Sequence, residues 1–102
     1  MNKLTEAETE RLVIMAEECA EVIQVIGKIL RHGWLGTDYK GICYDNRVKL
    51  EYEISHQIHA YDLMVENGDL NTNNIQEEFD RKKQSIKPYL RHQTKLKEPS
   101  HS

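Results

Sequence analysis

The chain contains very little cysteine, proline or glycine: 2, 2 and 5 residues, respectively, among 102. Two cysteines are too few for a disulfide scaffold, and Cys19 and Cys43 do not have the spacing of a zinc pair. We therefore expect two reduced thiols in a cytoplasmic protein. Because the few prolines and glycines fall at the ends of segments, long uninterrupted helices are expected.

Long apolar runs and an excess of positive charge are also missing. No stretch approaches the roughly 18 consecutive apolar residues of a membrane span, and the first residues, MNKLTEAETE, lack the apolar core of a secretory signal. Fourteen basic residues against 17 acidic ones give a net charge of -3, whereas proteins that bind duplex nucleic acid are normally basic. We expect neither a membrane nor a nucleic acid as partner.

A chain of this length has room for one domain, which we place at residues 1–93. Residues 94–102 are polar and lack periodicity, so a disordered tail is expected there. Hydrophobic residues make up only 38% of the chain, and a small polar domain buries little apolar area. A long apolar stripe in such a chain therefore indicates a partner subunit.

The first segment has the pattern of a long helix. Thr5 and Glu8 form a capping-box sequence, and apolar residues recur at alternating spacings of four and three up to Leu30. Gly33 is suited to ending the helix. These limits predict a helix of about 28 residues, roughly 40 Å long.

Two further helices are expected after a connector. Residues 34–44 are rich in glycine and aromatic residues and are predicted to contain one short helical turn. Asp45 or Asn46 then caps a second helix that ends at Gly68.

Asparagines in residues 71–74 predict a loop and cap, and a third helix is predicted over residues 75–86, before Pro88. No segment has the pattern of a strand. The predicted fold is an all-α bundle of three main helices plus a short connector helix, completed by oligomerisation.

Two pairs of polar residues interrupt the apolar stripes of the first two helices. Glu18 falls inside an apolar arc and Glu21 at its border, while Glu53 and His56 flank the stripe of the second helix. Residues at i and i+3 point to one spot, so facing helices that each carry such a pair form a divalent-cation site. Carboxylates favour Mg²⁺ or Mn²⁺, and the histidine shifts the preference toward softer metals. Solvated helix faces are the alternative interpretation.

The run EECAE at residues 17–21 resembles the EExxE motif of the MazG-like, all-α nucleoside triphosphate pyrophosphohydrolases. Residues 50–56, LEYEISH, stand where that family has its second motif, ExxD. The continuation at residues 61–70 is similar to small MazG-like proteins of bacteria and bacteriophages. The resemblance covers roughly residues 8–92.

The resemblance implies a helical bundle that forms a dimer or tetramer, binds Mg²⁺, and cleaves a nucleoside triphosphate to the monophosphate and pyrophosphate. Glu18 and Glu21 match the first pair of ligands, and Glu53 matches the glutamate of ExxD. His56 stands in place of the family's aspartate, and Ser55 stands where glycine is usual.

The substitution at His56 leaves three alternatives open. In the first, the enzyme uses Mn²⁺ or another metal that accepts a nitrogen ligand. In the second, three carboxylates hold the metal ion with reduced affinity. In the third, the protein is catalytically impaired and acts as a nucleotide-binding or oligomeric interaction protein.

The implied reaction is metal-assisted hydrolysis, in which Glu17 or Glu21 takes a proton from the attacking water. Trp34 and Tyr39 are candidates for stacking on the base of the nucleotide, and a lid over the core is the alternative for both. The candidate cations for the phosphates, each of which has a plain surface charge as the alternative, are Lys28, Arg31, Arg47, Lys82 and Lys83.

A carboxylate-bridged di-iron bundle is the other enzyme class considered. It requires two Glu-x-x-His motifs, and the chain has one, at Glu53 and His56, unless a symmetric dimer supplies the second. The remaining histidines show no ligand spacing and are predicted to be surface residues; they are His32, His59, His92 and His101.

Overall fold

A computed structural model describes residues 3–93 of the chain. Its helices and strands, in chain order, are α1 (Glu6–His32), β1 (Leu35–Thr37), β2 (Cys43–Asp45), α2 (Asn46–Glu66), α3 (Thr72–Ser85) and a 3-10 turn (Lys87–Tyr89). The expectation of a mainly helical fold is confirmed. The predicted tail at residues 94–102 lies outside the described residues, and the single domain at residues 1–93 stays a prediction.

The described residues fall into two compact units, one ending at Leu70 and the other beginning at Asn71. The first contains α1, the two strands and α2, and the second contains α3 and the 3-10 turn. No helix of residues 3–93 has both the length and the apolar content that crossing a membrane requires.

The limits predicted for α1 are confirmed. The Thr5 hydroxyl accepts a hydrogen bond from the N–H of Glu8, and the Glu8 carboxylate accepts one from the N–H of Thr5, so both halves of the capping box form. At the other end Gly33 takes a φ of 86° and donates its N–H to the carbonyl of Ile29. A residue with a Cβ is strained at this φ, which explains why glycine ends the helix.

The connector prediction is wrong, because residues 34–44 contain strand and turn where a short helical turn was expected. β1 and β2 pair antiparallel, with Gly36 opposite Tyr44. The aromatic ring of Tyr44 occupies the space that a Cβ on residue 36 would fill. The Asp38 carboxylate accepts hydrogen bonds from the N–H groups of Lys40 and Ile42, which closes the hairpin. Cross-strand packing and this side-chain turn therefore override the local helical interpretation.

Helices α1 and α2 pack side by side in opposite directions. Arg11, early in α1, contacts Asp69, just after α2, while Gly33, just after α1, accepts a hydrogen bond from Asn46 at the start of α2. Contacts that run in opposite order along the two segments define an antiparallel pair. The hairpin of β1 and β2 is the connection that reverses the chain direction.

The apolar core of this pair is small, and much of its apolar surface is exposed. Among the described residues, the buried hydrophobic side chains are Val25, Ala60 and Met64. By contrast, Ile23 is 67% exposed and Leu30 is 82% exposed. These side chains are part of the stripe from which oligomerisation was predicted.

Helix α3 of the second unit starts three residues earlier than the sequence predicted. The side chain of Asn71 accepts hydrogen bonds from the N–H groups of Asn73 and Asn74, so the asparagines form the cap and first turn of the helix. The helix ends at Ser85, as expected before Pro88.

Candidate metal centre

The polar pairs predicted on the first two helices converge in the structure. Glu18 and Glu21 project from successive turns of α1, and Glu53 and His56 project from successive turns of α2. Each of the four side chains offers a ligand atom, and these atoms all lie within 4.8 Å of one another. The antiparallel packing of α1 and α2 brings together residues that are separated by more than thirty positions in the sequence.

The imidazole of His56 points its Nδ1 atom at two carboxylates. Nδ1 lies 3.5 Å from Oε2 of Glu53 and 3.8 Å from Oε2 of Glu18. Both of these oxygens are buried and accept no hydrogen bond within the described residues. Buried carboxylate oxygens without a partner destabilise the folded protein. A bound cation or a hydrogen-bond donor would therefore stabilise this site.

The negative charges of the site act on Glu21 in particular. The carboxyl group of Glu21 shares a hydrogen bond with Glu53 and lies close to the charges of Glu18 and Glu53, which raises its pKa above the ordinary value of 4.5. The nearby His56 opposes this effect. Like charges at this distance disfavour full ionisation of the group, and a bound cation would relieve the repulsion.

The donor set fits a divalent cation. Three carboxylates and one imidazole project from two facing helices, and both are donor types that helical bundles use to bind such ions. Within residues 3–93, the Oε2 atoms of Glu18 and Glu53 have no hydrogen-bond partner, so their lone pairs are available to a ligand. Glu21 and His56 are exposed, so a substrate oxygen or water has access to the ion from that side.

Two contacts that link α1 to α2 and the residues just after it fix which turns of the two helices face each other, and neither contact was predicted from the sequence. Arg11 forms a bidentate ion pair with Asp69, in which Nε and Nη2 donate to Oδ2 and Oδ1 at 2.5 and 2.9 Å. Both side chains are largely buried. Gln57 donates from Nε2 to the sulfur of Cys19 at 3.4 Å. Cys19 adjoins Glu18 and Gln57 adjoins His56 in the sequence, so this contact lies next to the cluster of four polar side chains. Neither pairing has a local sequence signal.

Several residues predicted to act on the substrate contribute no atom to the cluster of Glu18, Glu21, Glu53 and His56. Glu17 is exposed and does not contribute a ligand atom to the cluster. Lys28 and Arg31 are exposed on α1, and Lys28 is seven positions after Glu21, which corresponds to about 10 Å along a helix. The roles predicted for Glu17, Lys28 and Arg31 stay predictions.

Trp34 and Arg47 form a separate recess at the end of α1. The guanidinium of Arg47 lies 4.6 Å from the centroid of the Trp34 ring, which is the distance of a cation–π contact. With Leu35 and Asp45 they line a cavity of about 250 Å³. Tyr39, the other aromatic residue predicted to stack on a base, lies at the hairpin tip and is 92% exposed.

In the second unit, Lys82 and Lys83 lie on α3 beside an exposed apolar stripe of the same helix. The ammonium of Lys83 lies 5.7 Å from the ring centroid of Phe79. The stripe includes Ile75, Phe79 and Ile86. The predicted role of these lysines in phosphate binding stays a prediction.

The histidines outside the site agree with expectation where the structure describes them. His32, His59 and His92 are exposed, and His101 lies outside the described residues.

Comparisons with known proteins add no family assignment. No family model, no curated protein and no solved structure matches the chain.

Proposed function

We propose that the protein is a metal-dependent nucleoside triphosphate pyrophosphohydrolase that converts a nucleoside triphosphate to the monophosphate and pyrophosphate. The observation that carries the proposal is the convergence of Glu18, Glu21, Glu53 and His56 within 4.8 Å. The resemblance of residues 17–21 to the EExxE motif of MazG-like enzymes supplies the reaction class.

The carboxylates of Glu18, Glu21 and Glu53 would hold the divalent ion, and Mg²⁺ or Mn²⁺ suits their oxygen donors. Such an ion offsets the charge that develops on the phosphate oxygens. Glu21 is the better placed of the two predicted bases, because its carboxyl group lies in the cluster, whereas Glu17 contributes no atom to it. As base it takes a proton from water, the water oxygen bonds to phosphorus, and pyrophosphate leaves.

Substrate binding would extend from the cluster toward the cations and aromatic residues of the first unit. Arg47 is six positions before Glu53, or about 9 Å along a helix, which is within the reach of a triphosphate. The guanidinium of Arg47 lies over the ring of Trp34. A nucleotide base that displaces this guanidinium would stack on the same face of the ring. We place the reaction in the cytoplasm, consistent with two free cysteines.

We also propose that the active form is a homodimer or homotetramer. Among the described residues, three buried hydrophobic side chains are a small core for two helices of 27 and 21 residues. Exposed apolar residues such as Ile23 and Leu30 lie on α1, where a second copy would cover them. Light scattering at micromolar concentration is expected to give a dimer or tetramer, and a monomer would contradict this proposal.

A pyrophosphate-release assay over a panel of nucleoside triphosphates, with Mg²⁺ and Mn²⁺ in parallel, tests the proposed reaction. Glu53→Gln is expected to lower turnover by at least 100-fold, because a metal ligand is lost. Glu51→Gln is the matched control, since Glu51 is exposed on the same helix and outside the cluster. Orthophosphate release without pyrophosphate, or equal loss in both variants, would contradict the proposal.

One observation favours a second candidate, a catalytically impaired relative that binds nucleotides or partner proteins. His56 stands where the family motif has aspartate, which removes one negative charge from the site. Saturable binding of a nucleoside triphosphate in calorimetry, without pyrophosphate release under either metal, would favour this candidate over the enzyme.

A further inference from the structure

We propose that His56 is itself a metal ligand, through Nδ1, and that it makes this site select a first-row transition ion such as Mn²⁺ over Mg²⁺. The inference rests on the metal centre of the proposed function but does not require that the protein hydrolyse a nucleotide. It concerns the feature in which this chain departs from the motif it resembles.

The orientation of the imidazole is the first argument. Nδ1 of His56 faces Oε2 of both Glu18 and Glu53, at 3.8 and 3.5 Å. These separations exceed those of good hydrogen bonds to carboxylates. An ion among these three atoms would use lone pairs that are otherwise unpartnered, since both oxygens are buried without a hydrogen bond. The ring nitrogen and the two free oxygens therefore converge on one place.

The chemistry of the donors is the second argument. Mg²⁺ demands oxygen ligands and near-ideal octahedral geometry, and an imidazole in the set removes one oxygen donor and one charge. First-row transition ions accept imidazole nitrogen together with carboxylate oxygen, and their affinity for such mixed sites rises from Mn²⁺ onward. His56 thus weakens the site for Mg²⁺ more than for Mn²⁺.

A purely electrostatic role is the competing explanation. A protonated His56 would neutralise part of the negative charge of Glu18 and Glu53 without binding a metal. In that case a cation would displace the imidazole, and no nitrogen would bond to the ion. The two explanations differ in a spectroscopic property of the bound ion, which is independent of activity.

The experiment uses the full chain loaded with one equivalent of Mn²⁺ and measures pulsed electron paramagnetic resonance. Directly bonded ¹⁴N is expected to modulate the Mn²⁺ signal of the wild type, and the modulation is expected to disappear in His56→Asp. His59→Ala is the matched control, because His59 is exposed one turn further along α2 and outside the cluster. Its spectrum should match the wild type.

Calorimetric titrations with Mg²⁺ and Mn²⁺ test the selectivity itself. The affinity for Mn²⁺ divided by the affinity for Mg²⁺ is expected to fall by about tenfold or more in His56→Asp. Oxygen then replaces the nitrogen donor, and Mg²⁺ binds more tightly. His59→Ala should keep the ratio of the wild type. Circular dichroism at 222 nm shows that each variant remains helical.

The outcomes separate this inference from the proposed function. Bound Mn²⁺ without nitrogen modulation, or an unchanged ratio of Mn²⁺ to Mg²⁺ affinity in His56→Asp, would overturn the role of His56. Either result would still be compatible with a metal centre formed by the carboxylates. Failure of the wild type to bind either metal would overturn the centre and this inference together. Nitrogen modulation in a protein that releases no pyrophosphate would support the inference and contradict the enzymatic proposal.

Discussion

Glu18→Gln is expected to stabilise the metal-free protein while it abolishes stabilisation by metal. The substitution keeps the shape of the side chain but removes one of the three negative charges whose ligand atoms lie within 4.8 Å. Most substitutions destabilise a protein. A gain in stability from this one would therefore indicate that repulsion between the carboxylates destabilises the metal-free protein. The same change removes a proposed metal ligand, so the two expected effects have opposite signs.

The magnitude follows from the spacing of the charges. Two unit charges 4.8 Å apart repel by about 3.5 kcal/mol at an effective dielectric constant of about 20, and by about 0.9 kcal/mol in water. The side chain of Glu18 is 23% exposed, which lies between these conditions. We expect a gain of about 1–2 kcal/mol in the metal-free free energy of unfolding, or roughly 4–16 °C in Tm for a domain of this size.

Thermal unfolding by circular dichroism, in chelator and in saturating Mn²⁺, measures both effects at one fixed protein concentration. Mn²⁺ at about 100 times its Kd should stabilise the wild type by about 2.7 kcal/mol and leave Glu18→Gln unchanged. Glu51→Gln, on the exposed part of α2, should behave as the wild type in both conditions. Equal stability of Glu18→Gln and wild type in chelator, with equal gains from Mn²⁺, would refute the reasoning.

Three further predictions concern other parts of the first unit. The ion pair with Arg11 holds the pKa of Asp69 below its ordinary 3.8, so Asp69→Asn should lower Tm at pH 7, and the difference from wild type should shrink as the pH falls through the lowered folded-state pKa. A difference that does not shrink as the pH falls below 3.8 would contradict this assignment. The pKa of Glu21 is raised above 4.5, so its contribution to stability is present below pH 4.5 and is lost as the pH rises through the folded-state pKa. NMR titration of the Glu21 carboxyl should show that saturating Mg²⁺ lowers this pKa, and an unchanged value would place the ion elsewhere. Trp34 is the one tryptophan of the chain and is 48% exposed, so a nucleoside triphosphate that stacks on it should quench the fluorescence, whereas no change at saturation would remove Trp34 from the substrate site.

The helices and the polar pair on each of the first two helices could be predicted because their signals are local. The capping box at Thr5 and the left-handed stop at Gly33 lie within a few residues of the ends they set. The i and i+3 spacing of Glu18 and Glu21 places both on one side of a helix whatever else the chain does. Their position in or beside an apolar arc indicated that they face another helix.

Other features depended on residues that meet only in the folded chain. The pairing of Gly36 with Tyr44 and the turn around Asp38 produced a hairpin where composition suggested a helical turn. Likewise, the Arg11–Asp69 ion pair joins residues 58 positions apart, and no periodicity marks either partner.

The amino-acid pattern was enough to specify two long helices and the polar pair on each, because capping and 3.6-residue periodicity act over one or two turns. It could not specify which turn of one helix faces which turn of the other. That register follows from antiparallel packing, the hairpin between the helices and the contact of Gln57 with Cys19. A shift of one turn, about 5.4 Å, would separate Glu53 from Glu21 by more than the 4.8 Å within which the ligand atoms now lie. Tertiary packing therefore decides that two helical pairs form one site.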